Sequence, residues 1–514
     1  MAKKQLIYGT LILFAANLFS RILGFIYQYF VMKWVGAEAY GIYQMVFPTY
    51  IMALVLTTAG LPLAVSKLVS EHAARGEYAS GRKIFRVALV LLLISGLVVS
   101  LALYIVIPSL TGKLFPDSRV VPVFLVCIPA IFIVAASSAF RGYFQGLQEM
   151  RPTALSQIFE QITRVSLGLG AAVKLLPYGM EYAAVGLALG MGGGELIGLL
   201  VTLVVYNKHK AKLRPDDAQT VPNAFAITKD LFRLGLPITG GRLVASASQA
   251  VDSMLIPLRL QAAGYSLRAA TALYGQLNGA AITLLTFPTV FTFSLATSLV
   301  PAISEGIAKG QHRAVRFRVE EALRYTVLVG LPFLVFIYFY AAELSAIFNS
   351  PNAGSVLSTL CLAGIFFYLQ STTSGILQGM GYPQIPVFHL IIASILKLVV
   401  LYHLTSIPTL ALQGTAIAYD FAFILTACLN IAAIAQKTGL DFDIQRLLLQ
   451  PLSAAALMGL TLYVLKTSLV FTHGIMLVNF ILSCAVYLLT LIINRGLNRS
   501  DLRRLPIINR FLVF

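Results

Sequence analysis

The chain has 514 residues, of which 58% are hydrophobic and only 11% are charged, and its mean hydropathy is +0.84. Because a soluble globular domain has about 25% charged residues, this composition excludes that class and predicts that most of the chain lies in lipid. The formal net charge is +18, but the basic residues are spread over the breaks between apolar runs. A nucleic-acid-binding protein would concentrate them on one face or in one domain, so no nucleic-acid partner is expected.

Apolar runs long enough to cross a membrane follow one another along the chain. A helix needs about 20 apolar residues to span the hydrocarbon core, and about 14 such runs are present. The predicted fold is therefore an all-α polytopic membrane protein. The predicted spans lie near residues 9–34, 42–66, 85–111, 121–146, 153–176, 181–206, 231–259, 269–302, 325–349, 355–379, 385–406, 412–435, 448–468 and 475–494.

The basic residues alternate between rich and poor breaks, as expected from the positive-inside rule. This pattern predicts cytoplasmic N and C termini, cytoplasmic breaks at 67–84, 207–229 and 303–322, and an external break at 112–120. The first apolar run is followed by no small-x-small cleavage site, so it is expected to remain as a helix. Among the 38 Lys and Arg residues, the poor breaks contain only Lys33, Lys113, Arg119, Lys174, Arg259, Arg268 and Lys466.

The longest polar break predicts a division of the chain. Residues 207–229 follow six spans and are expected to form a cytoplasmic linker. The predicted domains are an N-terminal six-helix bundle at 1–206, this linker, a C-terminal six-helix bundle at 230–436, and two additional helices with a cytoplasmic tail at 437–514.

Short internal repeats support two related halves. Phe47-Pro48-Thr49 in the second span is repeated as Phe287-Pro288-Thr289 in the eighth. Gln145-Gly146 ends the fourth span and Gln378-Gly379 the tenth, and each is followed in the next span by a cation. Both halves begin on the cytoplasmic side, so the repeats are parallel, which predicts a substrate route between the halves.

Two features inside the spans concern helix geometry. Proline removes a backbone hydrogen bond and kinks a helix, so Pro48 and Pro288 are predicted either to be hinges for alternating access or to be static kinks that improve packing. In the sixth span glycine recurs at every fourth residue, which predicts close packing against another helix. These glycines are Gly186, Gly190, Gly194 and Gly198.

We single out eight ionisable residues that lie well within the predicted spans, away from their ends. A charge near the centre of a lipid-facing helix costs about 2.5–3.5 kcal/mol on insertion scales, so these residues must face a wet cavity or one another. We predict four cations as binding residues for an anionic substrate, because they suit phosphate oxygens, and four carboxylates as coupling or ion-pair residues. The cations are Arg21, Arg164, Arg242 and Lys397, and the carboxylates are Glu160, Glu195, Asp252 and Asp420.

Two of these cations leave alternatives open. Glu160 and Arg164 are four residues apart on one helix face, so either a structural ion pair or a substrate role fits them. Arg21 has no Asp or Glu between residues 6 and 34. It must therefore contact the substrate or a carboxylate of another helix, such as Asp252, Glu195 or Asp420.

No enzyme constellation is present in the sequence. There is no HExxH pattern and no GxxxxGK[ST] phosphate-binding loop, so we expect neither a catalytic site nor ATP hydrolysis by this chain. The cysteines are isolated within the predicted spans, which indicates neither disulfides nor a metal site. No cofactor is expected. The cysteines are Cys127, Cys361, Cys428 and Cys484.

Three stretches carry a family resemblance: GLPLAVSKLVSE at 60–71, RGYFQG at 141–146 and LPYGMEYAA at 176–184. With the layout of six, six and two spans, they resemble the stage V sporulation protein B family, a branch of the polysaccharide-export and lipid II flippase group within the multidrug/oligosaccharidyl-lipid/polysaccharide exporter superfamily. The resemblance implies two six-helix bundles in a V, two extra helices and alternating access.

The function implied by the resemblance is export of a lipid-linked saccharide precursor of peptidoglycan, spore cortex or another polysaccharide. It implies a multi-pass protein of the plasma membrane, with the anionic lipid-linked saccharide, membrane lipids and cell-wall synthesis proteins as partners. The FSRILGF segment at 19–25 is similar to the first-helix motif of lipid II flippases, which implies a cavity-lining role for Arg21. The sequence departs from that branch at Tyr27, Met52 and Gln276, where lipid II flippases are basic.

Two other functions compete with this interpretation. A cation-coupled multidrug antiporter of the same superfamily often carries an acid on its first helix, where this chain has Arg21. Glu160 and Glu195 keep that alternative open. A non-transporting scaffold of the cell-wall machinery would need no wet charged interior, so access of solvent to Arg21 distinguishes it.

Overall fold

The structure is a computed structural model that describes residues 2–210, 223–289, 300, 302–439, 443–468 and 473–497, and it is α-helical without β-strands over those residues. Up to residue 286 the helices are α1 (Ala2–Phe30), α2 (Ala37–Thr58), α3 (Leu61–Ala74), α4 (Tyr78–Leu114), α5 (Val120–Gly146), α6 (Met150–Leu175), α7 (Met180–Lys210), α8 (Ala224–Ala262), α9 (Leu267–Gln276) and α10 (Thr283–Thr286).

The later helices continue the same all-α architecture. They are α11 (302–308), α12 (His312–Phe339), α13 (Ala341–Ile347), α14 (Ala353–Gly379), α15 (Gln384–Leu404), α16 (Leu412–Thr438), α17 (Gln450–Ser468) and α18 (His473–Ile493). Short π-helical turns extend α1 at Val31–Val35, follow α9 at Leu277–Ile282 and precede α17 at Gln445–Leu449.

Eleven helical segments in the described ranges are long and apolar enough to cross a membrane, which confirms a polytopic all-α membrane protein. The predicted spans 153–176 and 231–259 correspond to α6 and α8, which are long helices but less apolar. The predicted span 269–302 is not one helix over its described part, because α9 and α10 are separated by a π-helical segment. Residues 290–299 and 301 lie outside the described residues.

The second predicted span, 42–66, is divided in the structure. Ala59 and Gly60 have φ angles of 43° and 68°, and they separate α2 from α3, whose first turn contains Pro62. The left-handed region favours glycine, and proline is well tolerated in the first turn of a helix. The motif at 60–71 therefore begins a new helix.

The chain divides into two compact units. Unit 1 contains residues 1–280 with 348–350, and unit 2 contains residues 281–347 with 351–514. The predicted linker 207–229 falls inside unit 1, and its residues 211–222 lie outside the described part of the chain. The predicted bundle boundaries stay a prediction.

In unit 1, α6 and α7 pack closely along the glycine-rich face of α7. A Cβ atom on Gly186 would collide with the backbone of Ala172, and one on Gly190 would collide with the backbone of Gly168. A Cβ on Gly194 would lie 2.7 Å from the carbonyl oxygen of Glu160. The prediction that these glycines form a packing surface is confirmed.

In unit 2, the last two helices pack on α12 and the turn that follows it. The Tyr487 hydroxyl donates to the Leu328 carbonyl at 3.1 Å, and the Asn479 amide donates to the Tyr340 hydroxyl at 2.8 Å. Lys466 at the end of α17 forms an ion pair with Glu343 of α13 at 2.6 Å. Helices α17 and α18 are therefore an integral part of unit 2.

Candidate functional site

Four charged side chains from three helices of unit 1 form a closed network, which we name the charge cluster: Arg141 of α5, Glu160 and Arg164 of α6, and Glu195 of α7. Arg141 contacts Glu160 at 2.7 Å and Glu195 at 3.6 Å. Arg164 contacts Glu160 at 2.8 Å and Glu195 at 3.2 Å. Each carboxylate therefore interacts with both guanidinium groups.

The close packing of α6 and α7 brings the cluster together. Gly194 and Gly198 flank Glu195 on α7, and both lie against the turn of α6 that carries Glu160. The Ser156 hydroxyl donates to the Gly198 carbonyl at 2.9 Å, which adds a hydrogen bond between the two helices. A larger residue at either glycine would move Glu195 away from Arg164.

The cluster is largely buried and carries no formal net charge. Side-chain exposure is 12% for Glu160, 11% for Glu195, 23% for Arg141 and 27% for Arg164. Burial strengthens the Coulomb attraction between the opposite charges, but it makes any uncompensated charge costly. The arrangement is therefore stable only while positive and negative groups balance.

The hydrogen-bonding capacity of the cluster is incomplete. Within the described residues, the Nε atoms of Arg141 and Arg164 and the Oε2 atom of Glu195 are buried without a hydrogen-bond partner. The buried hydroxyl of Tyr50 on α2 also lacks one, and Tyr50 lies within electrostatic range of Glu195 and Arg164. Most buried polar groups in proteins are hydrogen-bonded, so these atoms leave room for further polar partners.

Glu160 and Arg164, for which the sequence leaves a structural ion pair and a substrate role open, contact each other in this cluster, and Glu195 joins them. Arg141 was missed, because it lies five residues before the end of a span and was treated as part of the family motif 141–146 rather than as an intramembrane cation. Its helix continues to Gly146, and Gly142 packs against Pro62 of α3. A motif arginine directly before such a packed glycine is the signal that could have identified it.

The remaining predicted residues of unit 1 lie on other helices. Arg21 is exposed on α1, one turn before Gly24, where a Cβ atom would lie 3.5 Å from Nε2 of Gln161. Arg242 is exposed on α8, and Asp252 of the same helix is buried. The substrate roles of Arg21 and Arg242 and the ion-pair role of Asp252 stay predictions.

In unit 2 the predicted residues Lys397 and Asp420 are both buried. The Lys397 ammonium lies 5.2 Å from the ring centroid of Tyr419, a cation–π contact between α15 and α16. Asp420 is the next residue after Tyr419, and its Oδ1 atom has no hydrogen-bond partner among the described residues. The predicted roles of Lys397 in substrate binding and Asp420 in coupling are not tested by these contacts.

The two matched prolines differ in their local structure. Pro48 is buried within the continuous helix α2, whereas Pro288 is buried in a turn directly after α10. The hinge role of both prolines stays a prediction.

Within the described ranges, no group of three or more His, Cys, Asp or Glu residues could hold a metal ion.

A second polar network of unit 1 connects α2, α9 and the loop before α5. Arg119 forms ion pairs with Glu38 at 2.6 Å and with Asp117 at 2.7 Å, and the Thr271 hydroxyl donates to Asp117 at 3.1 Å. The hydrogen bond to Asp117 raises the pKa of Arg119 above its ordinary value. Helices α2 and α9 also touch directly, because a Cβ on Gly275 would collide with the Ala37 carbonyl.

Sequence comparison places the chain among membrane proteins of polysaccharide biosynthesis. Residues 6–307 match the family model described as polysaccharide biosynthesis protein, and residues 277–403 match the model described as MatE. The chain is 32% identical to stage V sporulation protein B of Bacillus subtilis, over 100% of both chains. It is 27% identical to the lipid II flippase MurJ of the same organism, over 90% of this chain and 88% of that protein.

Solved structures share the fold. The lipid II flippase MurJ in an inward closed conformation has a TM-score of 0.68 at 17% identity and covers 94% of this chain and 99% of its own. An inward-facing multidrug resistance MATE family transporter of the MOP superfamily has a TM-score of 0.69 at 16% identity and covers 82% and 94%. The chain therefore belongs to the polysaccharide biosynthesis protein family, and it shares the fold of the lipid II flippase and multidrug transporter structures.

Proposed function

We propose that this protein moves a lipid-linked saccharide precursor from the inner to the outer leaflet of the cell membrane by alternating access. The observation that carries the proposal is the pair of guanidinium groups, Arg141 and Arg164, held in the largely buried charge cluster of unit 1. Guanidinium groups bind phosphate oxygens through paired hydrogen bonds, and a lipid-linked saccharide carries its phosphates next to the membrane. The similarity to the two Bacillus subtilis proteins supports the same substrate class.

The headgroup contacts are proposed for Arg21, Arg164, Arg242 and Lys397, and we add Arg141 to this proposal because it lies with Arg164 in the charge cluster. Arg21 and Arg242 are exposed, so they are accessible to a substrate. Arg164 and Arg141 are already engaged by carboxylates, so a substrate must compete for them. The cytoplasmic location of both termini and a contact with cell-wall synthesis proteins belong to the same proposal.

Lipid analysis of a deletion strain tests this function directly. We expect a lipid-linked saccharide precursor to accumulate in the inner leaflet when the gene is deleted, and expect the wild-type gene to reverse the accumulation. The variant Arg141→Gln/Arg164→Gln, produced at a normal level, should fail to reverse it. If no precursor accumulates, or if this variant restores the normal lipid profile, the proposal is wrong.

A cation-coupled multidrug antiporter is the second candidate function. The buried carboxylates Glu160 and Glu195 favour it, because an organic cation or proton needs an acid inside the membrane. In this structure, however, both carboxylates are paired with arginine. Efflux of a fluorescent organic cation from proteoliposomes tests this function. The antiporter is favoured if the wild type exports the cation, if Glu160→Gln/Glu195→Gln does not, and if the saccharide lipid has no effect on the efflux.

A further inference from the structure

The charge cluster cannot release one arginine without disturbing both carboxylates. Arg141 and Arg164 each contact Glu160 and Glu195, at distances between 2.7 and 3.6 Å. All four side chains are largely buried in helices α5, α6 and α7. An anionic ligand that takes the two guanidinium groups therefore leaves two carboxylates without their partners.

Charge balance determines what must accompany such a ligand. The cluster by itself is neutral, and a diphosphate headgroup that is esterified at both ends brings a charge of about −2 near neutral pH, because each phosphate has one strongly acidic oxygen and lacks the second ionisation of a monoester near pH 6. Binding it without a compensating cation would leave about two negative charges in excess at a largely buried site. Uncompensated charges are strongly disfavoured inside a protein and inside a membrane.

We propose, building on the proposed function, that a diphosphate headgroup binds Arg141 and Arg164 together with two protons, one on Glu160 and one on Glu195. Each proton comes from water and forms an O–H bond with a carboxylate oxygen as the arginine leaves it. The two arginines then balance the headgroup, and the loaded site is neutral again. When the headgroup leaves, the carboxylates release their protons and recover the arginines.

A proton fits this site better than a metal ion does. Hard cations such as Mg²⁺ and Ca²⁺ need about six or more oxygen ligands, whereas the cluster offers two carboxylates that are surrounded by guanidinium groups. Within the described residues, no third acid joins them in a metal-binding group. A proton needs one carboxylate oxygen, and the protonated acid can donate to a neighbouring acceptor.

Among the described residues of α1 and α2, the groups in electrostatic range of the cluster are phenols. The titratable side chains in electrostatic range of Arg164 from α1 and α2 are Tyr27, Tyr43 and Tyr50. Next to Arg141, helix α3 meets Gly142 of α5 through Pro62 and Val65, which do not titrate. Phenols normally lose their proton near pH 10, so the two carboxylates are the groups that take up protons.

Calorimetry on the full-length protein in nanodiscs tests the proposal, with farnesyl diphosphate N-acetylglucosamine as the probe, because its diphosphate is esterified at both ends and carries a charge of about −2. Titrations at pH 7 in buffers of different ionisation enthalpy give the number of protons taken up on binding. We expect about two for the wild type and about zero for Glu160→Gln/Glu195→Gln, corrected for the protons bound by the probe itself. The affinity of the wild type should also weaken as the pH rises, relative to the affinity of this variant. The ratio of the wild-type Kd to the variant Kd should increase about tenfold per pH unit for each proton taken up.

Two further variants make the measurement specific. Glu195→Gln alone should take up about one proton, which keeps the test valid if the double variant does not fold. Glu305→Gln is the matched control, because Glu305 is exposed in an ion pair with Lys309, and it should behave as the wild type does.

Three results would overturn the inference. If the wild type binds the probe without taking up protons, the coupling is wrong although the proposed function stands. If binding instead requires Na⁺ or K⁺ and no proton is taken up, the identity of the cation is wrong. If the wild type does not bind the probe under any of these conditions, the arginine headgroup site fails together with the inference.

Discussion

Each guanidinium group of the charge cluster is held by two carboxylates, so the contribution of one side chain depends on the others. Glu160 contacts both arginines within 2.8 Å, while Glu195 contacts them at 3.2 and 3.6 Å. Removing one member of a buried ion pair leaves its partner uncompensated, which costs more than the pair itself contributes. The four residues are therefore expected to behave as one energetic unit.

This coupling predicts the stability of Arg141 variants. Arg141→Ala should lower the free energy of unfolding by about 3–5 kcal/mol, because it leaves a buried excess of negative charge. Adding Glu195→Ala should recover part of that loss. Denaturant titration in detergent micelles measures both values. Glu71→Ala, which removes an exposed ion pair with Lys67, is the control and should cost less than about 1 kcal/mol. Strict additivity of Arg141→Ala and Glu195→Ala would contradict the coupling.

Arg21 provides the second prediction at this scale. Arg21→Ala should abolish reversal of precursor accumulation in the deletion strain, because the exposed guanidinium is proposed to contact the headgroup. Arg21→Lys keeps the charge and loses the planar fork, so it should be less impaired if charge dominates and equally impaired if bidentate geometry dominates. Arg75→Ala, at an exposed position after α3, should retain full activity.

One result would reassign Arg21. If Arg21→Ala is unstable, and removal of one of Asp252, Glu195 or Asp420 in the same variant restores stability and transport, Arg21 is a structural ion-pair residue. Its role in substrate binding would then be wrong.

The site could be predicted from the sequence only where its residues are close along one helix. Glu160 and Arg164 are four residues apart, so helix geometry alone brings them together. Glu195 was predicted as an intramembrane acid and as one possible partner of Arg21, whereas in the structure it contacts Arg141 and Arg164. Contacts between helices depend on packing that the sequence does not state. Arg141 was missed because it lies near the end of its span, where a cation needs no special explanation.

At the scale of elements, the pair α6 and α7 owes its geometry to glycine. The glycines of α7 lie against the backbone of α6, and this approach sets the distance between Glu160 and Glu195. Small residues are common at contacts between membrane helices, because they let backbones come close. The pair is therefore sensitive to a single methyl group.

Gly190→Ala tests this sensitivity. The added Cβ would collide with the backbone of Gly168, and overpacking of this kind costs about 1–3 kcal/mol. The free energy of unfolding in micelles should fall by that amount. Gly170→Ala is the matched control on α6, because nothing lies within 4 Å of its Cβ position. It should leave stability unchanged or raise it through better helix propensity, by about 1 kcal/mol at most. An equal loss in both variants would contradict the packing role.

The apolar pattern predicted the existence of most helices and missed their breaks. Eleven of the predicted spans correspond to helical segments that are apolar enough to cross the membrane. The break at Gly60 was missed because α2 and α3 form one continuous apolar run, and only the left-handed backbone at Ala59 and Gly60 separates them. The hydropathy of a segment depends on its composition alone, whereas a break between two helices depends on the backbone dihedral angles.

At the scale of the whole molecule, the orientation of the helices in the membrane can be tested directly. In a chain whose four native cysteines are replaced, Ser118→Cys should react with a membrane-impermeant maleimide on intact cells, and Gln311→Cys should react only after permeabilisation. Both positions are exposed, so access to the reagent depends on the side of the membrane. Labelling of Gln311→Cys from outside intact cells would reverse the topology.

The proposed proton uptake also changes the energetics of export. A headgroup of charge −2 that crossed alone would gain roughly 4–5 kcal/mol from an interior-negative potential near 100 mV. A headgroup that crosses with two protons carries no net charge and gains nothing from that potential. Export would then depend on consumption of the precursor at the outer surface.

The charges of α6 also bear on how the protein is made. Helix α6 is not among the helical segments of the described residues that are apolar enough to be candidate membrane spans. Its Glu160 and Arg164 pair with each other and, on the neighbouring helices, with Arg141 of α5 and Glu195 of α7. While the ribosome is still synthesising α7, α6 has only part of its final environment. We therefore expect α6 to enter the bilayer together with α7, as a helical hairpin, rather than by itself.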